Sequence, residues 1–354
     1  MYNGPLLAPM VRASFTGMRR IADKLGATCV HTDVVVASNI VQASIFESEN
    51  GVVFVRNVQR VLHLEKDLMH KTIIQLAGND PVVLSEACKK LQPYCAGLDL
   101  NVGCAKEWTQ GCMGVALLQQ PQLLLKVVTM MVASSEKPIS VKIRLLDTPQ
   151  QTASLIQDLF QVGISRVTIH MRQATEDREK HCARFMDFID VIRFVSPENS
   201  SRIAANGGIL CIDDYKQFVS LCKAENIPVP PVMLARGALR YPLLFEQIRA
   251  EMGDPIVQND LKTTNDVIQF FVNTARVNET QFILKDKGEG GPESIPLDFM
   301  KKYRFQEVRT VVLFMMDQQK LLAADLKKDE IQRIVQKTAN GVSFEDIEAA
   351  LKKE

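Results

Sequence analysis

Eight short runs rich in Val, Ile and Leu, spread over the first two thirds of the chain, constrain the fold more than any other feature. They begin near Gly4, Cys29, Thr72, Gly97, Ile139, Arg166, Arg202 and Pro231, about 32 residues apart on average. Each is followed by a longer helical or mixed segment, which is the pattern of repeated βα units. A doubly wound sheet seldom needs eight consecutive parallel strands, so the spacing predicts an α/β fold, a (β/α)8 TIM barrel.

Seven of the predicted strands end in a polar side chain at their C-terminal side. These residues are Asp33, Gln75, Asn101, Lys142, His170, Asn206 and Arg236. All C-terminal strand ends meet on one face of a barrel, where barrel enzymes build their sites. Any one of them could be a structural hydrogen-bonding group. Seven at corresponding positions predict an active site on that face.

Glycines follow the last two predicted strands, in Ala205-Asn206-Gly207-Gly208 and in Ala235-Arg236-Gly237, and a helical stretch follows each (212–224 and 238–252). Glycine lets backbone N–H groups approach a phosphate closely, and a helix N-terminus favours negative charge. Loops seven and eight are also where barrels often bind phosphate. An isolated Gly-Gly would indicate only a turn, but the pair of motifs predicts a phosphorylated cofactor or substrate.

The fourth predicted strand runs into a loop that contains Cys104, with glycines at 103, 111 and 114. A cysteine at this position could be a nucleophile, a metal ligand or a proton donor. Metal ligation lacks partners in the sequence, and nothing places His170 next to Cys104 as a base. A proton donor needs only a suitable position and pKa.

Composition excludes several classes of protein. The 42 Lys and Arg residues balance 41 Asp and Glu, so a strongly basic nucleic-acid coat is excluded and any RNA-binding surface must be a local patch. The eight cysteines form no CxxC pair, which favours reduced thiols and no metal site. No run approaches the roughly 18 apolar residues of a membrane span. We expect a monomer that binds no membrane, with a cytoplasmic location and a nuclear one as the alternative.

Several motifs, taken in order, resemble those of flavin-dependent tRNA-dihydrouridine synthases, and most closely the eukaryotic class that acts at position 20 of the D-loop. The motifs are APMV (8–11), LNVGCAK (100–106), GCMGVALL (111–118), SVKIRLL (140–146), IHMR (169–172), ANGG (205–208) and MLARGAL (233–239). The resemblance covers about residues 6–250. It implies a flavin mononucleotide (FMN) in the barrel mouth, NADPH or NADH as reductant, and a tRNA uridine as substrate.

The resemblance also implies roles for individual residues. Hydride passes from the flavin to C6 of uracil, and Cys104 protonates C5. Residues matching the flavin site are Pro9, Met10 and Val11 under the ring, Gln75, Lys142 and His170 at the ring and ribityl chain, and Asn206, Gly207, Gly208, Ala235 and Arg236 around the phosphate. Predicted substrate contacts are Asp33, Asn101 and Arg172 in the barrel. In the family, the cysteine is followed by proline and the histidine by glycine, whereas Ala105 and Met171 stand there in this chain.

The predicted domains are a catalytic barrel (1–252) and a smaller all-helical tRNA-binding domain (253–354). Helical patterns recur at 265–277, 297–323, 328–338 and 343–351. Lys301, Lys302 and Arg304 are the predicted RNA contacts of this domain. Two alternatives are open from the sequence: a flavin barrel oxidoreductase acting on a small molecule, and a catalytically weakened tRNA-binding paralogue.

Overall fold

The computed structural model describes residues 3–57, 59–104, 112–176, 181–255, 259–263 and 266–274. Its strands are β1 (Leu6–Leu7), β2 (Cys29–His31), β3 (Val35–Val36), β4 (Ser44–Glu47), β5 (Gly51–Arg56), β6 (Gln59–Glu65), β7 (Thr72–Ala77), β8 (Gly97–Val102), β9 (Ile139–Leu145), β10 (Arg166–Gln173), β11 (Ile203–Asn206) and β12 (Val232–Leu234). Its helices are α1 (Thr16–Lys24), α2 (Ala37–Val41), α3 (Pro81–Leu91), α4 (Pro121–Ala133), α5 (Pro149–Gln161), α6 (Phe185–Phe194), α7 (Pro197–Ser200), α8 (Ile212–Ala224), α9 (Arg236–Arg240) and α10 (Leu244–Glu251). Short 3-10 helices cover Gln92–Tyr94 and Gly114–Gln119.

Eight strands close into a parallel barrel. Going round the barrel, the order is β1, β2, β7, β8, β9, β10, β11 and β12, and β12 pairs with β1 to complete the ring. Leu6 of β1 is in register with Cys29 on one side and with Met233 on the other. The (β/α)8 barrel predicted from the spacing of the apolar runs is confirmed.

The barrel interior has an apolar layer and a polar layer. The apolar layer is a buried cluster of Leu6, Ala8, Cys29, Ile73, Ala204 and Met233. On β9 the burial alternates strictly: Val141, Ile143 and Leu145 are buried, whereas Ser140, Lys142 and Arg144 are half-buried. Successive strand residues point to opposite faces, so one face of β9 packs outward and the other brings polar groups to the lumen.

Capping side chains are present at the start of several helices that follow barrel strands, α3 and α5 among them. Asp80 accepts hydrogen bonds from the backbone N–H groups of Val82 and Val83 at the start of α3. Thr148 and Gln151 form a capping box at the start of α5. Among the helices in the described ranges, none combines the length and the apolar character needed to cross a membrane.

Two predicted elements differ in the structure. The predicted run 29–36 is interrupted after His31, because the Thr32 hydroxyl accepts the N–H of Gln75 at 3.2 Å where strand pairing would continue. β3 then resumes pairing with the end of β7. The predicted helix 238–252 is split into α9 and α10 around Pro242, because proline has no N–H to donate within a helix.

A small antiparallel sheet, in the order β4-β5-β6, was not predicted. It lies in the segment between the second and third barrel strands, which we interpreted as mixed structure. Its sequence signal is the pair of apolar runs GVVFVR and VLHLE around a turn at Asn57, whose φ is +48°. Asparagine tolerates this left-handed conformation better than most residues.

Two compact units divide the chain: Met1–Val11 with Thr28–Ala235, and Arg12–Ala27 with Arg236–Glu354. The first unit contains all the barrel strands. Within the second, the rings of Phe15 and Phe271 lie 5.4 Å apart, and Arg249 Nε donates to the carbonyl of Gly26 at 2.9 Å. Residues 266–274 are helical. Most of the predicted helical domain, from residue 275 on, lies outside the described residues.

Candidate active site

Parallel pairing brings the predicted polar strand ends to one rim of the barrel. Asn101 at the end of β8 is in register with Lys142 of β9, and His170 of β10 is in register with Asn206 of β11. Gln75 of β7 is in register with Asp99 of β8. The side chains of β7 to β11 that were expected to meet therefore occupy adjacent positions.

A chain of hydrogen bonds runs from the barrel interior to the Cys104 loop. Gln75 Nε2 donates to Asp99 Oδ2 at 2.6 Å, and Asn101 Nδ2 donates to Gln75 Oε1 at 2.8 Å. Asn101 Oδ1 accepts the backbone N–H groups of Cys104 at 3.0 Å and of Gly103 at 3.3 Å. The Asp99, Gln75 and Asn101 side chains are all buried. The backbone at Cys104 is thus held by side chains that the barrel itself positions.

The carboxylate of Asp99 and the ammonium of Lys142 both lie inside the barrel, where each affects the pKa of the other. Burial raises the pKa of Asp99 to about 6, opposed by hydrogen bonds from Gln75 and Ser140 and by the charge of Lys142. Burial lowers the pKa of Lys142 to about 8, and the charge of Asp99 opposes this shift. Both ions therefore sit where burial disfavours charge. An anionic group placed beside Lys142 would favour its charged form.

Arg144 fastens the Cys104 loop from a second direction. Its Nε donates to the carbonyl of Gly103 at 2.8 Å, and its Nη1 donates to the carbonyl of Gln173 at 2.9 Å. Burial lowers the pKa of this guanidinium, and its interaction with Cys104 opposes that shift. One side chain of β9 therefore ties the loop that follows β8 to the last residue of β10.

His170 and Arg172 form a pair beside the glycine turn after β11. Arg172 Nη1 lies 3.3 Å from His170 Nε2, and Arg172 Nε donates to the carbonyl of His181 at 2.9 Å. A guanidinium can only donate, so Nε2 of His170 is the acceptor in this contact. Gly207 has φ +102°, and a Cβ there would lie 2.9 Å from His170 Cδ2. The turn must therefore be glycine for the histidine to keep its place.

The other predicted site residues occupy varied positions. Asn206 Nδ2 donates to the carbonyl of Met233 at 2.8 Å, which ties β11 to β12. Gly208 has φ +81°, and a Cβ there would lie 2.6 Å from that of Ala183.

The remaining predicted site residues differ in exposure. Pro9, Met10, Asp33 and Ala235 are half-buried, and Val11 is exposed. Arg236 begins α9 and belongs to the second compact unit. Ala105, Lys301, Lys302 and Arg304 lie outside the described residues.

Sequence reasoning missed Asp99, Ser140 and Arg144. Ser140 Oγ donates to Asp99 Oδ1 at 2.6 Å, so it completes the surroundings of that carboxylate. All three lie two positions from a predicted site residue on the same strand. Side chains two apart share a face of a strand. Extending the polar positions by this period of two would have found them.

The chain is similar to several known proteins. The family model described as "Dihydrouridine synthase (Dus)" matches residues 6–282. The chain is 32% identical over 252 residues to a human protein named tRNA-dihydrouridine(20a/20b) synthase (NAD(P)+)-like, covering 67% of this chain and 69% of the relative. It is 28% identical over 354 residues to tRNA-dihydrouridine(20) synthase (NAD(P)+) of Saccharomyces cerevisiae, covering 86% and 90%. A rat protein named tRNA-dihydrouridine(16/17) synthase (NAD(P)(+))-like is 28% identical over 242 residues, covering 68% and 51%.

Proposed function

This chain belongs to the dihydrouridine synthase family, and on that premise we propose that it reduces the C5–C6 double bond of a tRNA uridine to give dihydrouridine. The proposed cofactor is FMN, the proposed reductant NADPH or NADH, and the proposed proton donor Cys104. The family match and the names of the relatives support the reaction. The main structural support is the Cys104 loop, which Asn101 and Arg144 hold at the barrel rim next to Lys142.

The residues at the rim fit a flavin nucleotide. Gly207 and Gly208 both have positive φ and lack the Cβ atoms that would collide with His170 and Ala183. Glycine backbone can approach a phosphate closely, and both glycines are only half-buried. Lys142 supplies a half-buried cation whose charged form an anionic ring edge would stabilise. We assign Lys142, His170, Gly207 and Gly208 to contacts with the flavin nucleotide. Gln75 is assigned to the same site.

Cofactor chemistry supplies the hydride for C6 of uracil, and the chain's own residues manage the proton. The Cys104 thiol gives its proton to C5 as the double bond is saturated, which leaves a thiolate. Lys142 and Arg144 both lie near enough to interact electrostatically with Cys104. Cys104 is half-buried, so the residue is not closed off from the solvent that returns the proton between turnovers.

A uridine inside folded tRNA must leave its stacked position before it can enter the barrel mouth. Turning a base out costs a few kcal/mol, which protein contacts with the base must repay. Asn101 lies at the rim with both ends of its amide engaged, so its contribution is to hold the backbone of Gly103 and Cys104 in position. The relatives' names point to positions 20, 20a and 20b as the first uridines to test.

The decisive test compares Cys104→Ala with Cys112→Ala. Cys112 is the matched control because it is also half-buried and follows in the same stretch of sequence. We expect both variants to bind FMN and to be reduced by NADPH in single-turnover absorbance measurements. Cys104→Ala should lose about 10²-fold or more in dihydrouridine formed per minute, since general acid catalysis contributes on that scale. Cys112→Ala should keep wild-type turnover.

Two outcomes would overturn the proposal. Full turnover in Cys104→Ala would remove the assigned proton donor. Purified wild-type protein that forms no dihydrouridine on tRNA lacking that modification, at any of positions 16 to 20b, would remove the reaction itself.

A further inference from the structure

A polar pocket lies beside the barrel mouth, at the tip of the unpredicted antiparallel sheet. Its walls are Val34–Val36 and Asn39 on one side and Arg56, Asn57, Arg60 and Val61 of the β5–β6 hairpin on the other. We call it the hairpin pocket. β3, which forms one wall, pairs with Leu76 and Ala77 at the C-terminal end of β7, beyond Gln75. The hairpin pocket therefore opens at the same end of the barrel as the Cys104 loop.

The chemistry of the hairpin pocket is that of an anion site. Arg56 and Arg60 flank the hairpin turn, and Arg56 Nη1 donates to the side-chain oxygen of Asn39. A neutral amide partner orients this guanidinium without cancelling its charge. The residues that line the pocket, within the described part of the chain, include no Asp or Glu. Guanidinium groups match the geometry of phosphate oxygens.

Its size suits a phosphodiester. The cavity volume is about 270 Å³, and a water molecule occupies about 30 Å³ in the liquid. The cavity volume is about nine times that of a water molecule, which leaves room for one phosphate group. Because the net charge of the chain is only +1, attraction to a polyanion must come from local arrangements of this kind.

We propose that the hairpin pocket binds a backbone phosphate of the RNA substrate and so helps to hold the tRNA over the barrel mouth. The identity of the polyanion rests on the proposed function, whereas the anion site itself rests on Arg56, Arg60 and their place at the rim. No role at the reacting base is assigned to either arginine.

The test uses the full-length, flavin-loaded protein and compares Arg56→Gln/Arg60→Gln with Lys126→Gln/Lys223→Gln. The control pair removes the same charge from exposed positions on the outer helices α4 and α8. Equilibrium tRNA binding is measured from low to moderate salt. The arginine pair should weaken binding about 10-fold and reduce the slope of log K against log salt by about 1 to 2, as the loss of phosphate contacts predicts. Lys126→Gln/Lys223→Gln should change neither the affinity for tRNA nor the salt slope.

Further measurements separate charge from folding and from catalysis. Arg56→Lys/Arg60→Lys keeps both charges and should retain most of the affinity. Flavin content and NADPH oxidation without tRNA should stay at wild-type values in all three pairs. Should the wild type make no dihydrouridine while Arg56→Gln/Arg60→Gln still loses tRNA affinity, the inference stands and the proposed function fails.

Three results would overturn the inference. In the first, Arg56→Gln/Arg60→Gln binds tRNA with the wild-type constant and salt slope. In the second, Arg56→Lys/Arg60→Lys loses as much tRNA affinity as Arg56→Gln/Arg60→Gln. In the third, inorganic phosphate raises the melting temperature of the wild type but not of Arg56→Gln/Arg60→Gln, while tRNA affinity is equal in both, which indicates a small-anion site only.

Discussion

At the scale of single residues, one buried carboxylate sets the direction of the amides that lead to the Cys104 loop. An ionised carboxylate can only accept hydrogen bonds, so Gln75 must turn its NH₂ group toward Asp99. Its oxygen then faces Asn101, and the oxygen of Asn101 faces the N–H of Cys104. The charge of Asp99 therefore determines the orientation of the Gln75 and Asn101 amides and, through them, the position of the Cys104 loop.

Replacing Asp99 with Asn tests this arrangement. The pKa of Asp99 is raised from 3.8 to about 6 by burial, so the folded state binds more protons than the unfolded state between these values. The stability that Asp99 contributes is therefore lost as the pH rises through that window. The free energy of unfolding of the wild type, relative to Asp99→Asn, should fall by about 2 kcal/mol between pH 4 and pH 7.

The same variant should also lose activity at neutral pH. Without the acceptor-only carboxylate, Gln75 and Asn101 can flip, and dihydrouridine formation should drop about 10-fold because the Cys104 loop is misplaced. Asp213→Asn, the same exchange at an exposed position on α8, should leave turnover unchanged. Equal pH dependence in wild type and Asp99→Asn, with full activity, would contradict this account.

At the scale of elements, the turn after β11 is built around a conformation that only glycine adopts without strain. Gly207→Ala adds a Cβ 2.9 Å from the ring of His170 at φ +102°. Gly253→Ala is a matched control, since Gly253 has φ +80° but nothing within 4 Å of the added Cβ. Both should lose about 1 to 2 kcal/mol of stability from the left-handed backbone.

Only Gly207→Ala should also displace His170. We expect it to lose an additional 1 kcal/mol or so through that contact and to retain markedly less FMN after gel filtration, measured by absorbance. Gly253→Ala should keep its flavin. Equal flavin retention in the two variants would argue against a role of the β11 turn in the cofactor site.

Also at this scale, the repeat of parallel βα units in the sequence obscured the antiparallel β4-β5-β6 sheet. The repeat of parallel strands predicts one connection after β2, and the antiparallel hairpin lies within that connection. Its alternating residues Val53, Val55 and Val61 resemble any half-buried strand. Only pairing in space decides that β5 joins β4 and β6 and not the barrel.

At the scale of the whole molecule, closure of the barrel depends on a very short strand. β1 has two residues, and Leu6 is fully buried between β2 and β12. Leu6→Ala should cost about 2 to 5 kcal/mol of unfolding free energy, because it leaves a cavity at the seam. Val82→Ala, at a site that is 58% exposed, should stay within about 0.5 kcal/mol of the wild type. Chemical denaturation of both variants measures the difference, and a Leu6→Ala cost as small as that of Val82→Ala would show that β1 does not secure the closure.

The sequence alone determined the barrel and the residues at its rim. Apolar runs and their polar C-terminal ends are local patterns, and parallel closure carries each strand end to the same face whatever the details of packing. Gln75, Asn101, Lys142 and His170 were therefore predictable from their positions on the strands. The Cys104 loop was recognisable from its glycines and from the family motifs that surround it.

Tertiary structure alone decided what those residues do to one another. The hydrogen bonds from Gln75 to Asp99 and from Arg144 to Gly103 join positions 24 and 41 apart in the chain. The hairpin pocket likewise brings Val34 and Arg60 to one cavity. Partners so distant are set by strand register and side-chain direction, which depend on the closed barrel as a whole and leave no local pattern in the sequence.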